Sequence, residues 1–208
     1  MDATELRGEI ESEYETELSR LGSSKSMYAA TEGEMETDAV LSAMADRAHS
    51  TAETFDTWTA ETTDAVLADV FGSLAADQHA QAERIVDAGG EAAVDSPTAL
   101  QEHLRDLSNP AERVGGMLAW TLVIDRTLSQ AVGFFVGNAD PSSADLFRDF
   151  RTDIERAGDR GEETLDRVCD DREEWDLAEV AANEAIEAAY AEYVDTLESM
   201  GVKVKPVC

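Results

Sequence analysis

Residues 109–137 read NPAERVGGMLAWTLVIDRTLSQAVGFFVG and contain the most apolar stretch of the chain. Asn109 is an N-cap residue and Pro110 follows it at the first helical position, which together predict the start of a helix. Apolar residues then recur every three or four positions, as on one face of a helix. Their stripe consists of Val114, Leu118, Leu122, Asp125, Leu128, Val132 and Phe135. Asp125 and Arg126 lie in the middle of this segment, so it is expected to be a buried core helix and not a membrane-spanning one.

The rest of the chain shows the same three-to-four-residue spacing, and no segment has a convincing two-residue alternation. Glycine and proline separate the periodic segments from one another. The predicted helices cover about residues 6–21, 25–59, 62–88, 142–168 and 175–200, with a short additional helix beginning at Ser96-Pro97. The fifth long helix is expected to be capped by Ser142, and Gly201 is expected to end the last one. The sequence therefore predicts an all-α fold.

The connections between the predicted helices differ in length. The second and third helices are joined tightly near Glu61, and the fourth and fifth near Asp140, whereas about twenty residues separate the two pairs. Two antiparallel hairpins linked by one long crossover have the connectivity of a ferritin-like four-helix bundle. We therefore expect such a bundle over residues 25–170, an amphipathic N-terminal helix over 1–24 that packs on it, and a C-terminal helix with a short basic tail over 171–208. All three parts are expected to form a single compact domain.

Two local patterns accompany this layout: SKSMYAATEGEMETDAVL at 24–41 and FGSLAADQHAQAERIV at 71–86. On these features the chain resembles the rubrerythrin branch of the ferritin-like superfamily over roughly residues 25–170. The resemblance implies two metal ions between the helices, held by one Glu from each of two helices and a Glu-x-x-His from each of the other two. The rubredoxin-like iron site of full rubrerythrins is not expected, because Cys169 and Cys208 cannot supply four thiolates.

The inward positions of the four predicted bundle helices do not carry that ligand set. Gln78 and Gln81 occupy the positions where a Glu-x-x-His belongs, and neutral amides are much poorer metal ligands than carboxylate and imidazole. The residues expected inside are Met44, Gln78, Gln81, Asp125, Gly158 and Gly161. The sequence therefore predicts a degenerate di-metal site, in which Gln78, Gln81 and Asp125 are the candidate residues for holding a small ligand.

A rearranged metal site is the alternative, with Asp125, Glu155 and His79 as ligands. Glu155 lies beside the stripe of its helix, and His79 is about 100° away from Gln78, which favours a surface or interhelical histidine. Asp46 and His49 lie three residues apart on the opposite face of the second helix and could join a second site with the first or last helix. Exposure to solvent explains these two polar groups better than such a site does.

Asp125 requires a partner wherever it is buried, because an unpaired carboxylate in apolar surroundings loses its charge. Arg126 is adjacent in sequence but about 100° away around the helix. Arg47, at the margin of the stripe on the second helix, is the expected ion-pair partner.

The charge balance is strongly acidic. Asp and Glu number 46 and Lys and Arg 16, which gives a formal net charge of -30, and only three of the basic residues are lysines. This composition resembles that of proteins from salt-loving archaea, because molar salt shortens the Debye length to about 3 Å and screens the self-repulsion. It argues against nucleic acid as a partner, since phosphate binding needs a basic patch.

The remaining expectations concern location and activity. The N-terminus MDATELRGEIESE is acidic where a secretory signal would be basic, and two cysteines suit a reducing compartment, so a cytoplasmic protein is expected. The leading hypothesis is a protein without cofactor or catalysis that acts through a protein partner, self-association or a small ligand, with no membrane contact. The alternative is an iron- or manganese-dependent oxidase or peroxide reductase of rubrerythrin type.

Overall fold

A computed structural model describes residues 1–204, and Lys205 to Cys208, the end of the basic tail, lie outside that range. The described chain consists of helices and their connections and contains no strand, which confirms the all-α prediction. Its helices are α1 (Ala3–Glu13), α2 (Glu15–Leu21), α3 (Ser24–Ala30), α4 (Thr37–Glu61), α5 (Ala65–Asp87), α6 (Ala99–Asp106), α7 (Pro110–Gly137), α8 (Pro141–Val168) and α9 (Arg172–Ser199).

Four of the long helices, α4, α5, α7 and α8, surround a common core. The hairpin of α4 and α5 turns at residues 62–64, and the hairpin of α7 and α8 turns at 138–140. Between the hairpins, Arg84 of α5 contacts Asp149 of α8 at 3.2 Å, and Arg160 of α8 contacts Asp69 of α5 at 2.7 Å. These two ion pairs show that α5 and α8 run antiparallel.

The apolar stripes predicted for α4 and α5 are fully buried. At one end of the bundle, aromatic rings fill the space between the helices. Phe55 of α4 packs edge-on against Trp120 of α7, with ring centroids 5.1 Å apart, and Trp58 packs against Phe71 of α5 at the same separation. The three-to-four-residue spacing of these large residues therefore places them in one interior layer.

The last long helix, α9, packs closely along α7 and also contacts α6. Gly115 of α7 makes this approach possible, because a Cβ at that position would lie 2.7 Å from the Cα of Ala178 in α9. The facing side of α9 consists of small residues: Ala178, Ala181, Ala182, Ala185 and Ala189 are all buried. α9 is thus a principal packing partner of α7.

Several helix boundaries differ from those predicted. The helix expected over 25–59 is interrupted, because Glu32 and Gly33 adopt left-handed backbone conformations with φ of 50° and 90°. The predicted cap of the fifth long helix is wrong: Asp140 caps α8 by accepting a hydrogen bond from the Ser143 backbone at 3.1 Å, with Pro141 at the first helical position. Asn109 caps α7 as predicted.

The N-terminal helices lie against the bundle. Arg7 of α1 forms an ion pair with Glu162 of α8 at 2.7 Å, and the hydroxyl of Tyr14 donates to Glu187 of α9 at 2.9 Å. Their apolar stripe is buried at Leu6, Ile10, Leu18 and Leu21. No helix within residues 1–204 combines the length and the apolar character that crossing a membrane requires.

Candidate functional site

A small cavity lies between α4, α5, α7 and α8. Its volume is about 20 Å³, enough for one water molecule or an ion of similar size. All four helices contribute to its wall: the lining residues are Met44, Arg47, Ala48, Thr51, Gln78, Gln81, Ile85, Ile124, Thr127, Leu128 and Phe150. We call this space the inner cavity.

Two amide side chains line the inner cavity. Gln78 and Gln81 are buried, with exposed fractions of 4% and 5%, and Gln78 Nε2 donates to Gln81 Oε1 at 3.1 Å. The Gln81 Nε2 group has no hydrogen-bond partner among the described residues. The inner cavity therefore contains an unsatisfied donor and no carboxylate.

Arg47 separates the inner cavity from a larger one and contributes to the walls of both. Within residues 1–204 its guanidinium forms no ion pair and donates no hydrogen bond, unlike most arginines of the chain. Burial lowers the pKa of Arg47, and the charge of Glu192 acts in the opposite direction. Arg47 is half-buried, and a partly desolvated cation without a contacting partner is unusual, because desolvation penalises the charged form.

The second space, which we call the outer cavity, has a volume of about 280 Å³. It is bounded by α2, α3, α4, α6, α7, α9 and the segment before α6. Its polar lining includes Ser26, Arg47, Thr98, Gln101, Glu192 and Tyr193. A space of this size lies just below the usual range for small-molecule sites, about 300–1,000 Å³.

Two carboxylates in the wall of the outer cavity are held by backbone groups. Glu192 Oε1 accepts a hydrogen bond from the backbone of Ala99, at the start of α6, at 3.2 Å. Asp46 Oδ1 accepts one from the backbone of Val94 at 2.8 Å. The outer cavity therefore contains fixed negative charges and the unpaired positive charge of Arg47, separated from each other.

Asp125, the predicted inward carboxylate, does not line the inner cavity. It lies on the side of α7 that faces α8, where Arg151 Nε donates to its Oδ1 at 2.8 Å. The prediction of an arginine partner is confirmed, but the choice of Arg47 is wrong. Glu155 is exposed on α8 and acts, with Asp125, to raise the pKa of Arg151.

His79 belongs to a separate group on the solvent-facing side of α4 and α5. Its Nε2 lies 2.8 Å from Asp56 Oδ2, as expected of an interhelical histidine. One potential ligand atom each from His49, Glu53 and His79 lies within 4.8 Å of the others. Within residues 1–204, the structure brings together this group and not Asp125, Glu155 and His79.

The sequence patterns point to His49 and His79 separately and do not single out Glu53 or Asp56. The usable signal is positional: His49 and Glu53 are four residues apart on one helical face, and His49 and His79 lie almost equally far from the turn between α4 and α5. In an antiparallel hairpin such residues meet. Comparisons of the chain with protein-family models, with curated proteins and with solved structures find no match.

Proposed function

We propose that this chain is a ferritin-like helical bundle whose di-metal centre has been replaced, and that it binds a small zwitterionic molecule in the outer cavity. The two antiparallel hairpins and the crossover of residues 88–109 support the ferritin-like assignment. The strong negative charge of the surface supports a cytosol rich in salt as its setting. The observation that carries the binding proposal is Arg47, which lies between the two cavities and has no ion-pair partner within residues 1–204.

The guanidinium of Arg47 supplies the contact for a carboxylate. An arginine presents several N–H donors in one plane and pairs with carboxylates in a bidentate manner. Keeping this half-buried charge without a contacting partner costs stability, so a ligand whose carboxylate pairs with it gains binding free energy. Gln81 Nε2, in the adjoining inner cavity, is a second donor for which the described part of the chain offers no partner.

The carboxylates around Arg47 select the ligand further. Asp46 and Glu192 line the same cavity, and the chain carries a formal charge of -30, so a simple anion is repelled by its surroundings. A molecule with both a carboxylate and an ammonium group matches the two signs of charge and has no net charge of its own. The volume of about 280 Å³ favours a ligand the size of an amino acid.

The proposal is tested by calorimetric titration in molar KCl, because salt at that concentration screens the repulsion between the acidic side chains and so stabilises the folded chain. Free amino acids are the probes, each with two matched compounds: the same carbon skeleton without the amino group and without the carboxylate. We expect an amino acid to bind and both truncated compounds to bind at least tenfold more weakly, a difference of about 1.4 kcal/mol.

The matched variants are Arg47→Met, Arg47→Lys and Arg126→Met. Arg126 lies on α7 and is exposed outside the outer cavity, so its replacement should leave binding unchanged. Arg47→Met should abolish binding, and Arg47→Lys should retain part of it because the charge remains. Equal binding by wild type and Arg47→Met would overturn the proposal, as would the absence of binding by every amino acid tested.

Arg47 also argues against the alternative, an iron- or manganese-dependent oxidase or peroxide reductase. A guanidinium at the wall of the inner cavity repels a metal ion there, and Gln78 and Gln81 offer no negative charge to offset it. Two iron or manganese ions per chain after purification in molar KCl without chelator would instead favour the alternative.

A further inference from the structure

The solvent-facing side of the α4–α5 hairpin carries two of the three histidines of the chain. We propose that His49, Glu53 and His79 bind one divalent transition-metal ion, such as Zn²⁺, and that Asp56 orients His79. We call these four residues the hairpin cluster. The proposed site is independent of ligand binding at Arg47, because it lies on the opposite side of the two helices from the inner cavity.

The side chains of the hairpin cluster approach one another closely enough to share an ion. Their potential ligand atoms lie within 4.8 Å of one another, and the imidazole centroids of His49 and His79 are 6.0 Å apart. Ligand atoms at about 2.0–2.1 Å from a tetrahedral ion are roughly 3.4 Å apart. Glu53 is exposed and both histidines are partly exposed, so their side chains can rotate. A rotation that moves the ligand atoms by about 1 Å brings them to the distances that one ion requires.

Asp56 provides the second contact that metal-binding histidines usually have. Its Oδ2 lies 2.8 Å from Nε2 of His79, so it accepts the Nε2–H hydrogen bond and leaves the Nδ1 lone pair free for a metal. A carboxylate in this position fixes the tautomer and the ring orientation and makes the imidazole a better ligand. The four residues therefore supply both direct ligands and an orienting group.

The ligand types select the ion. Imidazole nitrogen favours Zn²⁺, Cu²⁺, Ni²⁺ and Fe²⁺ over Mg²⁺ and Ca²⁺, which prefer oxygen. The many carboxylates elsewhere on the surface provide oxygen only. Two histidines and one glutamate leave a fourth position for water or an external ligand, an arrangement known from catalytic zinc sites.

Isothermal titration of chelator-treated full-length protein with ZnCl₂ in molar KCl tests the site. The salt screens diffuse cation binding by the acidic surface, whereas coordination to imidazole persists. We expect one Zn²⁺ per chain. His49→Ala and His79→Ala should each weaken binding at least 100-fold, and Asp56→Asn about 10–100-fold.

His103→Ala is the matched control, because His103 is the third histidine and lies on α6 outside the hairpin cluster. Glu53→Gln serves as a further variant, since Glu53 is exposed and its replacement leaves the core intact. Far-UV circular dichroism verifies that each variant remains helical. Zinc binding that His49→Ala, His79→Ala and Glu53→Gln leave unchanged overturns the proposal, as does the absence of stoichiometric binding by the wild type.

Discussion

α7 meets its neighbours in two different ways. Toward α9 the helices are in direct backbone contact, and a Cβ at Gly115 would overlap the carbonyl group of Ala178. Toward α4 the two backbones have almost no close contacts, and side chains and cavities occupy the gap. We call these the closed side and the open side of α7.

Residue size explains the difference. The closed side pairs glycine with alanine, so the helix axes approach each other without a gap. On the open side, Phe55 and Trp58 fix the separation of α4 and α7 at one end of the bundle. Further along, Ala48, Thr51 and Thr127 are too small to fill that separation, so the cavities form where aromatic residues are missing. The open side is thus the place where the bundle can hold a ligand.

Among the tests of the closed and open sides of α7, removing salt is expected to have the largest effect on stability. At a formal charge of -30, self-repulsion in dilute buffer opposes a net stability of only about 5–15 kcal/mol. We expect helicity and melting temperature to rise steeply between low and molar KCl, as measured by circular dichroism. Hydrogen exchange at intermediate KCl should show α4 losing protection before α7 and α9, because the closed side is apolar. Equal stability in dilute buffer would contradict the salt-adapted interpretation of the composition.

The closed side is tested next by Gly115→Ala. The added Cβ would lie 2.7 Å from the Cα of Ala178, so one helix must move, and we expect a loss of about 3 kcal/mol in the free energy of unfolding. Gly133→Ala is the control on the same helix, because nothing lies within 4 Å of a Cβ there. Alanine is the better helix former, so this variant should be up to about 1 kcal/mol more stable than wild type. Denaturation in molar KCl measures both, and equal effects would show that α7 and α9 can separate freely.

The buried stripes could be predicted from the sequence because helical periodicity alone determines which residues face inward. Gln78 and Gln81 continue the apolar stripe of α5 and are buried as that stripe requires. The break between α3 and α4 at Glu32 is harder to predict, because residue propensities rarely indicate a positive φ at a residue other than glycine. Periodicity thus fixes the face of a helix better than its ends.

The partners of charged residues could not be predicted in the same way. Asp125 belongs to the predicted stripe of α7, and Arg47 lies at the margin of the stripe of α4. Whether they pair depends on how far apart α4 and α7 are held, which large residues elsewhere determine. A neighbouring helix, α8, offers Arg151 at a shorter distance. The outer cavity was missed for a related reason, because it is bounded by helices distant in sequence.

Arg47→Met tests whether the open side is kept open for a ligand. The guanidinium has no partner among the described residues, so its replacement by an apolar side chain of similar length should raise the free energy of unfolding by about 1–2 kcal/mol in the absence of ligand. Urea denaturation in molar KCl measures the change. A loss of more than about 1 kcal/mol would assign Arg47 to the support of the fold and weaken its proposed role in binding.

The smallest expected effect lies between the two sides, at the ion pair of Asp125 and Arg151, where α7 faces α8. The side chains of Asp125 and Arg151 are 24% and 34% exposed, so solvent screens their attraction. Replacing both by apolar side chains therefore recovers little desolvation free energy. We expect a coupling free energy of about 1 kcal/mol or less from a double-mutant cycle of Asp125→Ala and Arg151→Ala. A deeply buried pair would instead give a loss of about 3–5 kcal/mol for either single variant. A loss of that size would mean that α8 covers Asp125 more completely in solution than the exposed fractions of the two side chains indicate.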